Sequence, residues 1–109
     1  MSPVPGPDVF AALANPTRRA LLGRLLDGPR PVNELAAQFD MRRPSVSEHL
    51  KVLKDAGLVV ERRHGRQRLY QLQAAPLREV ADWLAPYERF WRAKLTALRD
   101  LLDTGGDAP

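Results

Sequence analysis

The 109-residue chain contains no cysteine, which excludes disulfides, thiolate metal ligands and a cysteine nucleophile. Histidine is nearly as scarce, with His49 and His64 the whole supply. Zn²⁺ and similar borderline metals are held by Cys and His, so no metal site is expected. No apolar run approaches the ~20 residues that span a bilayer. The opening Met1-Ser2-Pro3-Val4-Pro5-Gly6-Pro7 lacks the charged and apolar blocks of a secretion signal. A soluble, cytoplasmic protein with a flexible stretch at 1–7 and no membrane partner is the expectation. There is also no phosphate-binding glycine loop and no Ser-His-Asp set at recognisable spacing. The acidic pairs Glu79/Asp82 and Asp100/Asp103 read as solvated helix-surface carboxylates. Neither an enzyme nor a cofactor is expected.

What the chain does have is basic charge in clusters. Lys and Arg number 17 against 13 Asp and Glu, for a net +4. Six of the arginines fall at Arg42 and Arg43 and then at Arg62, Arg63, Arg66 and Arg68. Clustered arginine suits a phosphate backbone, and it equally suits a well-solvated surface. The length allows one small domain, which buries a modest share of its surface when alone, so two chains sharing a core are expected.

Periodicity predicts mostly helix. Asp8 can cap a short helix striped by Val9, Phe10 and Leu13, and Asn15-Pro16 pairs a cap with a proline at the first helical position. The next helix places Ala20, Leu21, Leu22, Leu25 and Leu26 on one broad face and stops at Asp27-Gly28-Pro29. Val32, Leu35, Ala36 and Phe39 mark a helix of about two turns. After the short link Asp40-Met41, Val46, Leu50 and Leu53 mark another, from about Arg43 to Ala56. Two short helices joined by so tight a turn form a helix-turn-helix. After Gly57 the period changes. Residues 58–63 and 67–72 read as strands flanking His64-Gly65-Arg66, a hairpin placed as a wing. From Pro76 to about Leu102 the pattern is helical again, with a kink or break expected at Pro86. The expected layout is therefore one domain over 8–102, mainly α with a two-stranded β-hairpin wing, and flexible ends at 1–7 and 103–109.

Several blocks carry a resemblance to a known family. They are Leu13-Ala14-Asn15-Pro16-Thr17-Arg18-Arg19, Leu35-Ala36-Ala37-Gln38-Phe39-Asp40-Met41, Pro44-Ser45-Val46-Ser47-Glu48-His49-Leu50-Lys51-Val52-Leu53, Ala56-Gly57-Leu58-Val59, and Arg62-Arg63-His64-Gly65-Arg66. In this order they resemble the ArsR-type winged-helix repressors over about Phe10 to Leu102. Asp40 stands where such turns often carry Gly, and Asp tolerates positive φ. The resemblance implies a homodimeric regulator that binds an inverted-repeat operator in double-stranded DNA. By the same resemblance, the helix from Arg43 enters the major groove, the hairpin lies along the minor groove, and the first and last helices pair two subunits. Val9, Phe10, Leu13, Leu84, Tyr87, Trp91, Leu95 and Leu98 are the candidate dimer contacts. Metal-sensing relatives often carry cysteines in the helix before the recognition helix, or histidines in the last helix. This chain has neither, so it resembles a member without the metal site.

The first turn of a recognition helix reaches base edges, which makes Arg42 and Arg43 candidates for guanine, whose two major-groove acceptors an arginine can pair. Ser45 and Ser47 suit base edges or phosphate. Glu48 either accepts from cytosine or repels DNA lacking a donor there. Lys51 and Arg18 suit phosphate. His49 makes either a structural hydrogen bond or a phosphate contact. In the wing, Arg63 and Arg66 are expected at the minor groove, whose narrow stretches attract arginine. His64 and Arg68 share the hairpin tip, unless one of the wing's basic residues merely pairs with Glu61. All these positions could instead form an ordinary solvated face. Trp83, Tyr87, Phe90 and Trp91 read as core and dimer interface, with a small-molecule effector pocket as the sharper alternative. A winged fold that recognises another protein is the rival reading, and arginines concentrated on helix and wing speak against it.

Overall fold

Two side chains start the helical part of the chain. The computed structural model describes residues 8–107, with side chains as far as Asp103. The Asp8 carboxylate accepts from the Ala11 amide at 2.7 Å and opens α1, Val9–Leu13. The Asn15 side chain accepts from the amides of Thr17 and Arg18 at 2.8 and 3.1 Å. Two of the four orphan amides of α2, Pro16–Arg24, are thereby satisfied, and Pro16 has none to satisfy. The helix stops at Arg24, earlier than its leucine pattern suggests. Leu21, Leu22 and Leu25 turn inward, while Ala20 and Leu26, expected on the same face, lie exposed.

α3, Val32–Phe39, and α4, Arg43–Asp55, are joined through Asp40, whose φ of 50° and ψ of 42° place it in the left-handed region. This is the sharp reversal of a helix-turn-helix. A side chain costs energy there and glycine does not. Asp40→Gly is therefore expected to raise the unfolding free energy by about 0.5–1 kcal/mol, and Asp40→Val to lower it by about 1–2 kcal/mol. Urea titration of the two variants measures both shifts. A loss of stability with glycine would contradict the account.

Gly57, at φ +79°, turns the chain from α4 into the hairpin of β2, Val59–His64, and β3, Gln67–Leu72. The register pairs His64 with Gln67, so the turn is the two residues Gly65-Arg66, with Gly65 at φ +63°. A third strand, β1, Arg30–Pro31, pairs antiparallel with β3 and completes the order β1-β3-β2. It holds the inner half of the wing, with Arg30 opposite Tyr70 and Pro31 opposite Leu69. The outer rungs, Arg63–Arg68 and His64–Gln67, extend beyond it.

The core collects Val9 and Ala12 from α1, Leu21, Leu22 and Leu25, Val32 and Leu35 from α3, Val46, Leu50 and Leu53 from α4, and Leu58 and Val59 at the base of the wing. No polar side chain among the described residues is buried with them.

α5 runs from Leu77 to Asp107 without interruption. Pro86 removes one backbone donor but does not divide the helix in two. The helix also outruns the end expected near Leu102, so residues 103–107 continue it. The flexible segment expected at 1–7 lies outside the described residues, as do 108–109. Much of α5 projects from the rest of the chain. The molecule measures 63 × 42 × 22 Å with a radius of gyration of 18.8 Å, against about 13 Å for a compact chain of similar length.

Candidate nucleic-acid interface

α4 divides cleanly between two faces. Val46, Leu50 and Leu53 are fully buried, which fixes the helix rotation and turns Arg43, Ser45, Glu48 and Lys51 to solvent. Ser47 and His49 lie half-buried on the flanks. Arg42 is the N-cap, makes no capping hydrogen bond with its side chain and is exposed as well. In the wing, every residue from Arg62 to Arg68 is exposed.

The wing is braced against α4. Lys54, near the end of that helix, donates to Glu61 of β2 at 3.0 Å, and Arg68 of β3 approaches the same carboxylate at 3.7 Å. The neighbouring Glu61 carboxylate raises the Lys54 pKa. Burial, aided by the charge of Glu61, raises that of Tyr70. Arg68 is thus the wing residue that meets Glu61. The brace spans two elements and the turn between them, and Lys54 had no place among the residues singled out from sequence. Nothing in the local pattern of Lys54 marks it.

Two expected DNA contacts meet elsewhere. The Arg18 guanidinium donates from Nε to the Ala12 carbonyl at 2.7 Å and from NH2 to the Ala11 carbonyl at 3.2 Å. These carbonyls lie at the end of α1, where the Ala11 oxygen also accepts from the Ala14 amide, and a cation there is favourable. Its NH1 lies 3.5 Å from His49 Nδ1, at the outer limit of a hydrogen bond. The half-buried Arg18 therefore links the end of α1 to the flank of α4.

At the wing tip the basic residues gather. A cleft of about 210 Å³ opens between α4 and the hairpin, lined by Asn33, Arg43, Arg66, Gln67 and Arg68 along with the start of α3. Asn33 and Gln67 were not among the residues singled out from sequence. Among the described residues, Arg43 and Arg66 have no acidic partner.

The candidate dimer contacts divide. Val9 is only 3% exposed: at this helix's rotation it and Ala12 face the chain's own core, which removes Val9 from a surface available to a partner. Leu13 and Leu84 are half-buried. Phe10 sits edge-on to Trp83 at 5.9 Å, and Trp83 lies 5.6 Å from Tyr87, so α1 and α5 present one aromatic ridge. Trp91, Leu95 and Leu98 continue it at 48%, 61% and 51% exposure. The residues considered for an effector pocket, Trp83, Tyr87, Phe90 and Trp91, all lie along this open face. Among the described residues no three His, Asp or Glu side chains come together as a metal cluster, and no helix is long and apolar enough to cross a membrane.

Residues 13–62 match a helix-turn-helix domain family. The chain is 45% identical over 108 residues to an HTH-type transcriptional regulator of Mycobacterium tuberculosis, covering 98% of each. It is 34% identical over 77 residues to the transcriptional repressor SdpR of Bacillus subtilis, covering 71% of this chain and 86% of that one. Among solved structures it is similar to an ArsR family transcriptional regulator, at 44% identity and a TM-score of 0.65 over 76% of this chain and 86% of the other. It is similar also to the homodimeric winged helix-turn-helix DNA-binding domain of a Mycobacterium bovis protein, at 32% identity and a TM-score of 0.61, covering 73% and 75%.

Proposed function

The chain belongs to the ArsR family of winged helix-turn-helix transcriptional regulators, and from that premise we propose that it represses transcription by binding an inverted-repeat operator as a homodimer. It is a DNA-binding regulator and not an enzyme. The observation that carries the operator proposal is the shared exposure of the α4 outer face and the arginine-rich wing, braced to each other through Lys54 and Glu61.

Ser45 and Glu48 lie on that outer face and are assigned to base edges, with Arg42 beside them at the helix start. Ser47 on the flank, Lys51, Arg63 and His64 are assigned to the backbone and minor groove. Arg18 and His49 act as an internal tie rather than as DNA contacts. Two copies related by a two-fold axis present two such surfaces, so half-sites should lie about one helical turn apart, roughly 34 Å. The dimer is supported by the ridge on α1 and α5, since a contiguous exposed apolar patch marks an interaction site, and by the homodimeric state of the Mycobacterium bovis domain. Cytoplasmic placement follows from the same role at the chromosome.

Selection of bound fragments from the source genome, followed by titration against salt, tests the proposal. The selected fragments should share a two-fold-symmetric sequence. Affinity should fall about a thousandfold or more between 50 and 200 mM salt, as it does when six or more phosphates are neutralised. Binding with no preference among sequences would overturn the operator and revive recognition of another protein.

A further inference from the structure

The cleft at the wing tip has a chemistry narrower than its surroundings. Three arginines line it from separate places: Arg43 at the first residue of α4, Arg66 in the hairpin turn, and Arg68 on β3. No carboxylate lines it. Glu61, which Arg68 meets, already serves Lys54 as well. Like charges gathered without a counter-charge repel one another, and an anion between them reverses the sign of the interaction. Arginine's planar fork matches phosphate oxygens two at a time. The space, about 210 Å³, is smaller than the roughly 300–1,000 Å³ that holds a drug-sized molecule. It has room for one phosphate group and a few waters of ~30 Å³ each. Asn33 and Gln67 add neutral amide donors at its edge.

We infer that this cleft is a phosphate seat, filled by one backbone phosphate of the duplex where the strand passes between the recognition helix and the wing. The inference rests on the DNA-binding role stated above and changes the parts played by two residues, since Arg66, expected at the minor groove, is placed on the backbone as well. Arg43, which its position in the first turn assigns to guanine, instead holds phosphate with Arg66 and Arg68. It sets the register of the helix in the groove and leaves base reading to its neighbours. Helix and wing then grip the same strand at one point.

The test uses the full chain, an operator obtained by genomic selection, and a scrambled duplex of equal length, with anisotropy measured across a salt series. Arg43→Ala and Arg66→Ala should each weaken binding about tenfold, the loss of one charge-assisted contact. The loss should be equal on both duplexes, and the slope of log affinity against log salt should become shallower by about 0.9. Replacing single operator phosphates with neutral methylphosphonates should find one position per half-site that weakens the unmodified protein more than it weakens the Arg43→Ala chain. Inorganic phosphate that displaces the duplex more than chloride does at equal ionic strength, and does so less well when Arg43 is replaced, would mark the same seat as open to free phosphate and support it. A loss confined to the operator, with the scrambled duplex and the salt slope unchanged, would make Arg43 a base reader and overturn the inference. Unchanged affinity of both alanine variants would overturn it as well. An unmodified protein that binds neither duplex would instead reject the DNA-binding role itself.

Discussion

A chain carrying Leu95→Asp and Leu98→Asp is expected to sediment as a single 12.2 kDa species and to bind its operator on the order of 10²- to 10⁴-fold more weakly than the unmodified protein. Both leucines are more than half exposed on α5, in line with Tyr87 and Trp91, and neither packs into the core of its own chain. The substitutions therefore leave the winged domain folded and act on what covers the ridge. A carboxylate taken from water into an apolar contact without a partner costs several kcal/mol, and two-fold symmetry places each substitution in the contact twice. The loss on DNA follows because the second half-site is then no longer tethered to the first. Analytical ultracentrifugation and a titration on an intact and a half operator separate the two effects. A doubly substituted chain that remains a pair, or a single chain that binds the intact operator undiminished, would remove the ridge from the account.

The second large effect concerns the seat of the recognition helix. Leu50→Ala should destabilise the protein by about 3 kcal/mol, within the range for a buried leucine cut back to a methyl group. Leu50 is wholly inaccessible and lies between Val46 and Leu53 on the inner face of α4. In urea the midpoint should drop by about 1–2 M with the slope unchanged. DNA affinity should fall only as far as the folded fraction falls, so binding measured well below the transition should stay near that of the unmodified chain. The outward Ser45→Ala should do the reverse and leave the midpoint within about 0.5 kcal/mol. An unfolding midpoint insensitive to Leu50→Ala would mean that α4 is not anchored by this face.

The helices and the hairpin were legible because each is written in local terms. Asp8 and Asn15 are caps, Val46, Leu50 and Leu53 form a one-sided stripe, and Gly65 marks a turn. What escaped depends on partners distant in the chain. β1 is two residues long and one of them is Pro31, so it carries no period and exists only because β3 lies beside it. The five-residue α1 is too short for its stripe to reveal its rotation, and Val9, grouped with Phe10 and Leu13 as a dimer contact, turned inward with Ala12. Arg18 was read as suited to phosphate, and the carbonyls of α1 that engage it are placed by packing between helices. The meeting of Arg43 with Arg66 and Arg68 is likewise tertiary. The clusters themselves were visible, but the cleft that gathers them was not.

The extended shape has a consequence for dosage. A chain 63 Å long and 22 Å thick has much of its last helix standing clear of any core of its own, and the proposed homodimer would cover that helix with a twin. Where single chains predominate, the number of assembled pairs rises with the square of the number of chains. Halving the copies in a cell would then quarter the active species, and the promoter would respond to the regulator's own abundance more steeply than one-to-one binding allows.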